Sequence, residues 1–345
     1  MMLSPIEKST VAAVPAHSDR EWFVPLMFIV LIETLLWFAA YRAGAADHPI
    51  IATYGSIALT FFILTLSWKG VRLLIRERPT DPVHRLFDAA VENRERIVMA
   101  ALGSVVLSVG SAAFGSLKAG IPRVIPFWFD RPESIFEDWL FGGSPAILID
   151  PKIPWILPYL DRIYATFIPT IIIAMLALLA SKPSREKSRA LVAIALGWLV
   201  NGVFCAYAFS SVGPIFYDQT YGGRKFAALT ELIAHDAQLT TIAANHLWID
   251  HMSRNLSFGD GISAFPSMHV TMTTWLALVL SRTRYAPLGW AYLFIIWVSS
   301  ILLGWHWVLC GIAGGLGMIG LWKLAPKLLY VQRSIPVAEA VAAVA

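Results

Sequence analysis

Long apolar runs separated by short charge-bearing stretches dominate the chain. Eight of these runs predict membrane-crossing helices: Trp22–Tyr41, Ile50–Trp68, Ile97–Leu117, Trp155–Ala180, Ala190–Ser210, Phe265–Leu280, Leu288–Gly304 and Trp307–Ala325. Most approach the ~20 residues that an α-helix needs to cross a hydrocarbon core. Gly304, Gly311, Gly314 and Gly315 would also permit a tight re-entrant turn in place of the last two crossings. No internal repeat is visible. The pattern predicts an all-α, polytopic helical bundle with about six to eight transmembrane helices.

The polar stretches carry an orientation signal. Lys69, Arg72, Arg76, Arg78, Arg85, Arg94 and Arg96 share one loop. Lys182, Arg185, Lys187 and Arg189 follow the fourth run, Arg282 and Arg284 the sixth, and Lys323, Lys327 and Arg333 end the chain. With eight crossings all of these fall on one side, together with both termini, and the excess of bases assigns that side to the cytoplasm. The other loops balance their bases with acids, among them Asp130, Glu133, Glu137, Asp150, Asp218 and Asp260.

Composition agrees: of 345 residues 57% are hydrophobic and 14% charged, whereas soluble domains carry about 25% charged residues. The net charge of +4 does not argue for a nucleic-acid partner, because the bases sit between crossings. Cys205 and Cys310 both lie in apolar runs, so no disulfide or metal framework is implied. The N-terminal segment lacks an apolar core ending in a small-residue cleavage site, so the first run reads as a retained crossing. The expected organisation is a cytoplasmic tail (1–21), two crossings with a basic loop (22–96), a main membrane domain (97–325) and a C-terminal tail (326–345). The expected location is a bacterial inner or plasma membrane.

This topology places Lys118 at the end of the third crossing, His269 at the start of the sixth and His306 after the seventh, all at the non-cytoplasmic surface. Phosphoryl transfer without a metal needs a nucleophile, an acid for the leaving oxygen and cations or amides for the phosphate oxygens. Imidazole suits both of the first two tasks, since its unperturbed pKa of about 6.5 lies near working pH. In Phe265-Pro-Ser-Met-His269, Pro266 fits a first helical turn, where free amides and Ser267 can face an anion.

Pro266-Ser-Met-His269, followed by His306, resembles the type 2 phosphatidic acid phosphatase superfamily, whose second motif is Pro-Ser-x-His and whose third ends in His-x-x-x-Asp. Gly261-Ile-Ser-Ala-Phe-Pro-Ser-Met-His269 is similar to the branch of fungal inositol phosphorylceramide synthases. Leu117-Lys118-Ala-Gly-Ile-Pro122, Asp138-Trp-Leu-Phe-Gly142 and Ser211-Val-Gly-Pro-Ile-Phe216 also look like that branch. The resemblance covers roughly Leu117 to Gly315. It implies that His269 is the leaving-group acid, that His306 is the nucleophile, and that Lys118 and Ser267 bind phosphate. Three positions depart from the pattern. Ile125 precedes Pro126 where the first motif has arginine, Ser300 stands six residues before His306 in place of an arginine, and Cys310 replaces the orienting aspartate. A thiol brings no charge to an imidazolium, so Cys310 is a possible orienting position only in its placement, and Asp218, Asp250 and Asp260 are alternative acids.

The function implied is transfer of a phosphorylated polar head group from a phospholipid to a lipid alcohol such as ceramide, through a phosphohistidine. The alternatives are a lipid phosphate phosphatase using water, and a catalytically impaired lipid-binding or transport protein of the same fold. The expected partners are lipid substrates and the membrane, with no cofactor and no metal. Other polar residues have plainer readings. His246, Asp250 and His251 have a spacing that can bind zinc but suit a polar surface helix. Arg123 is a possible second cation, Glu33, Asp161 and Arg162 suit structural pairing, and Pro126–Phe129 with Trp139 suit an amphipathic lid.

Overall fold

A computed structural model describes residues 17–329 as helices joined by turns and loops, with no strand among the described residues. The helices are α1 (Arg20–Arg42), α2 (Ile51–Glu77), α3 (Pro82–Glu92), α4 (Arg94–Val124), α5 (Asp130–Phe141), α6 (Pro145–Ile149), α7 (Leu157–Ala165) and α8 (Phe167–Leu179). Next come α9 (Arg185–Leu196), which runs through a π-helical stretch (Gly197–Cys205) into α10 (Ala206–Ala208), then α11 (Pro214–Tyr221), α12 (Ala227–Asp236) and α13 (Gln238–Ser253). The chain closes with α14 (Met268–Leu280), α15 (Ala286–Leu302) and α16 (Val308–Leu328).

Six of these helical stretches are long and apolar enough to cross a membrane, and α14 and α15 are shorter apolar helices. Together they match the eight predicted runs, and the molecule is an all-α polytopic membrane bundle. Parts of the predicted tails, residues 1–16 and 330–345, lie outside the described residues. The re-entrant alternative does not appear: Gly311, Gly314 and Gly315 lie within α16, and only Gly304, at φ +71°, makes a turn. The fourth crossing is broken between α7 and α8. Pro169 accounts for the break, because its ring excludes the Ala165 carbonyl and offers no N–H to it.

The core forms where polar or small residues let helices approach. The inner face of α4 buries Gly103, Ser104, Ser108, Gly110, Ala112, Ala113, Gly115 and Ser116. Small residues allow the close contact on which helix association in lipid depends. A Cβ on Gly110 would stand 2.9 Å from Val30 of α1. Asn201, in the π-helical stretch, donates to Thr271 Oγ1 (3.1 Å) and to the Gly314 carbonyl (3.3 Å), which ties this stretch to α14 and α16. By contrast α2 buries no residue, as expected of a helix whose face meets lipid. Glu33 of α1 is fully buried, and neither carboxyl oxygen has a hydrogen-bond partner.

Above one end of the bundle lie α5, α6, α11–α13 and the 254–267 loop. Three backbone bonds hold the segments of this cap in place: Ala264 N–H donates to the Ser211 carbonyl, Ile215 N–H to the Gly304 carbonyl, and Phe129 N–H to the Ser210 carbonyl.

Candidate active site

Helix α14 begins two residues later than the proline-first reading expects. Met268 is its first residue and Ser267 its N-cap, with Ser267 Oγ accepting from Val270 N–H at 3.3 Å. Pro266 therefore precedes the helix. Capping suits serine, whose short side chain reaches an otherwise unpaired amide of the first turn. The Ser267 N–H donates to the Cys310 carbonyl (2.9 Å), which fixes the start of α14 against α16. His269 thus projects from the first turn of α14, while Gly304 turns the chain after α15 and the His306 N–H returns to the Ser300 carbonyl (3.0 Å).

The two predicted histidines meet. His269 Nδ1 lies 3.2 Å from His306 Nε2, and His306 Nδ1 lies 2.7 Å from the Ala264 carbonyl oxygen. A carbonyl can only accept, so Nδ1 of His306 carries the hydrogen and Nε2 presents a lone pair. It follows that His269 donates from Nδ1 to His306 Nε2. Burial pushes the His306 imidazole down to about 3, which keeps it neutral and nucleophilic; the Ala264 bond opposes this only in part. The His269 ring is clasped by Tyr164 (centroids 4.5 Å apart, stacked) and Phe167 (4.4 Å), which come from either side of the break between α7 and α8.

Both histidines line a cavity of about 450 Å³ with Lys118, Tyr164, Phe167, Phe216 and Trp305. Lys118 has no hydrogen bond or ion pair among the described residues, so its ammonium is available to an anion in the cavity. Gly261 brings the loop onto α4: its φ is +99°, and a Cβ there would fall 2.8 Å from the Ala119 nitrogen. No L side chain fits that approach.

Residues 136–324, just over half of the chain, match the model of the PAP2 superfamily. The chain belongs to that superfamily. The matched span contains His269, His306 and Cys310 but not Lys118. No curated protein and no solved structure matches the chain. Members of the PAP2 superfamily are usually phosphatases or phosphotransferases, and a lipid substrate follows from the membrane setting.

Several sequence expectations about the PAP2 site need correction. Cys310 does not orient His306; its Sγ donates to Glu133 Oε1 at 3.2 Å. The Ala264 carbonyl holds His306 instead. None of the alternative acids takes that position: Asp218 accepts from Phe226 N–H (2.8 Å), while Asp250 and Asp260 gather around His246. Ser267 is completely buried behind the helix start and is absent from the cavity wall. Arg123 forms a two-pronged ion pair with Asp47 rather than facing the site.

Helix α5 carries three buried acids that the sequence reading counted among the loop charges, Asp130 also falling in the stretch that resembles the family's first motif. Asp130 accepts from Ser211 Oγ, Val212 N–H, Gly213 N–H, Tyr221 Oη and Trp307 Nε1. Glu137 accepts from Val308 N–H (2.8 Å) at the start of α16, where the helix dipole favours an acceptor. Burial pushes the Glu133 carboxyl well above the usual carboxylate range. Tyr164 and Phe167 were also missed, since nothing in an apolar run marks which aromatic ring will clasp a histidine.

Proposed function

We propose that the protein is a membrane lipid phosphotransferase that moves a phosphorylated head group from a phospholipid to a lipid alcohol through a phosphohistidine on His306. The observation that carries this reading is the hydrogen bond from His306 Nδ1 to the Ala264 carbonyl. It sets the tautomer that leaves Nε2 free to attack, in a cavity that also holds an uncommitted cation.

In-line displacement places phosphorus between the attacking nitrogen and the leaving oxygen. The phosphodiester therefore enters between the two rings and replaces their mutual hydrogen bond. His306 Nε2 forms the N–P bond as the P–O bond to diacylglycerol breaks, and His269, entering the step as an imidazolium paired with the phosphate anion, gives a proton to the leaving oxygen and becomes neutral. Lys118 balances the charge that gathers on the phosphate oxygens. In the second half, His269 takes the proton of the acceptor hydroxyl, whose oxygen attacks phosphorus, and the P–N bond breaks. Apolar wall residues such as Ile168, Leu239, Ile242 and Phe258 suit a lipid acceptor better than bulk water. The Gly261–His269 phrase, similar to that of inositol phosphorylceramide synthases, supports the same choice. The site opens on the non-cytoplasmic face, a placement supported by the basic loops at the opposite ends of the crossings.

The test is transfer in detergent or liposomes from a labelled phospholipid to ceramide. His269→Ala and His306→Ala are each expected to lower the rate by more than about 10³-fold, and a phosphorylated His306 should be trapped in the absence of acceptor. Activity surviving both substitutions would sink the mechanism, while release of free phosphate or phosphorylated head group in place of transfer would move the reading to a phosphatase.

A further inference from the structure

We infer a divalent-cation site formed by His246, Asp250 and Asp260 on the rim of the cavity. His246 and Asp250 stand four residues apart on α13, and Asp260 comes from the loop that leads to Pro266-Ser-Met-His269. One donor atom from each residue lies within 4.8 Å of the other two. His246 Nδ1 is 3.2 Å from Asp250 Oδ2 and 3.9 Å from Asp260 Oδ1.

The His246–Asp250 spacing is that of neighbouring ligands around one ion, and Asp260 would have to close by a few tenths of an ångström to join them. Bonds of 2.0–2.2 Å place neighbouring ligands roughly 2.9 to 3.6 Å apart, depending on whether the geometry is octahedral or tetrahedral. A direct hydrogen bond does not account for the closest pair. Asp250 Oδ2 is shielded from solvent, on a residue only 9% exposed, and its polar neighbours are the His246 ring and the Asp260 carboxyl. Asp260 is pre-aimed, because its other oxygen, Oδ2, accepts from the Ser257 N–H.

One imidazole and two carboxylates favour a borderline ion such as Zn²⁺ or Mn²⁺ over Ca²⁺ or Mg²⁺, which take oxygen ligands. The half-exposed His246 ring gives an entry path from solvent. His246 and Asp260 also line the cavity that contains Lys118, His269 and His306. The remaining coordination positions therefore face the space where a substrate's oxygens would lie. The ion would in addition pin α13 to the loop that carries His269.

Metal retention tests the site without turnover. Untagged full-length protein, stripped with chelator and re-equilibrated with micromolar Zn²⁺ or Mn²⁺, should keep about one ion per chain after desalting. His246→Ala and Asp250→Asn should each weaken that retention by more than about tenfold, while His251→Ala on the same helix should not. The stripped variants should unfold at the temperature of the stripped parent, which separates loss of ligand from loss of fold. Failure of the unaltered protein to retain either ion overturns the inference, as does retention undiminished in both variants.

Discussion

At the scale of single residues the decisive exchange is between Cys310 and Ala264. In the PAP2 pattern an aspartate one turn after the nucleophile would hold His306, and its replacement by cysteine reads as a defect. The structure assigns the orienting bond to a backbone carbonyl, while Cys310 faces Glu133. Cys310→Asp is therefore expected to bring no gain in transfer rate. It should lower the unfolding temperature, because the new carboxyl would be buried against Glu133 beside Asp130. A rise in rate of tenfold or more (about 1.4 kcal/mol) would show that the carbonyl is an inadequate substitute. Lys118→Met should reduce kcat/KM by about 10²-fold, the scale of losing one charge-stabilising donor, with Lys118→Arg retaining part of the activity; equal rates for all three would remove Lys118 from the site. The histidines and Lys118, which line one cavity, were legible as candidates because their chemistry is written in the side chain. Ala264 was not, since every residue has a carbonyl and only the fold chooses which one faces an imidazole.

At the scale of elements, α5 and α13 explain how the cap is held over the bundle. Amphipathic helix α5 is turned with its acids inward: Asp130, Glu133 and Glu137 are buried, while Ile135 and Trp139 are largely exposed. That arrangement leaves these two apolar side chains exposed and places the acids under α16. Helix α13 is capped from a distance. Asp161 of α7 accepts from Leu239 N–H, Thr240 N–H and Thr240 Oγ1, each at 2.8 Å. A local signal was missing because Ala237 occupies the N-cap position and has no side-chain acceptor. The reading of Asp161 as a structural partner of another helix fits this placement. Asp161→Ala should cost about 1–2 kcal/mol, the range for lost helix caps, and should raise KM more than it lowers kcat, because α13 supplies cavity wall rather than reacting groups. Thermal unfolding and steady-state kinetics on the same preparation check both parts.

For the whole molecule, burying acids outside the crossings makes stability depend on pH. Asp150 is completely buried, both of its carboxyl oxygens lack partners, and burial pushes its pKa up from an ordinary 3.8 to about 8. The folded state therefore keeps a proton that the unfolded chain releases above about pH 4. Its contribution is fully present below the unfolded value and is lost as pH rises through about 8. Unfolding temperatures measured across that window should fall with rising pH, and Asp150→Asn should flatten the decline. An unchanged slope in the variant would assign the dependence to other groups, such as Glu133.

The helical class, the places of the eight apolar helical stretches and the choice of the two histidines as candidates were legible in the sequence itself. Apolar runs of membrane-spanning length leave the backbone little choice but helix, and Pro-Ser-x-His names its chemistry locally. Only the tertiary structure decided which groups support that chemistry. The clasp of Tyr164 and Phe167, the carbonyl of Ala264, the distant cap from Asp161 and the meeting of Asp260 with His246 all join residues far apart in the chain. Such contacts depend on packing angles and on a kink at Pro169, and no periodicity along the chain encodes them.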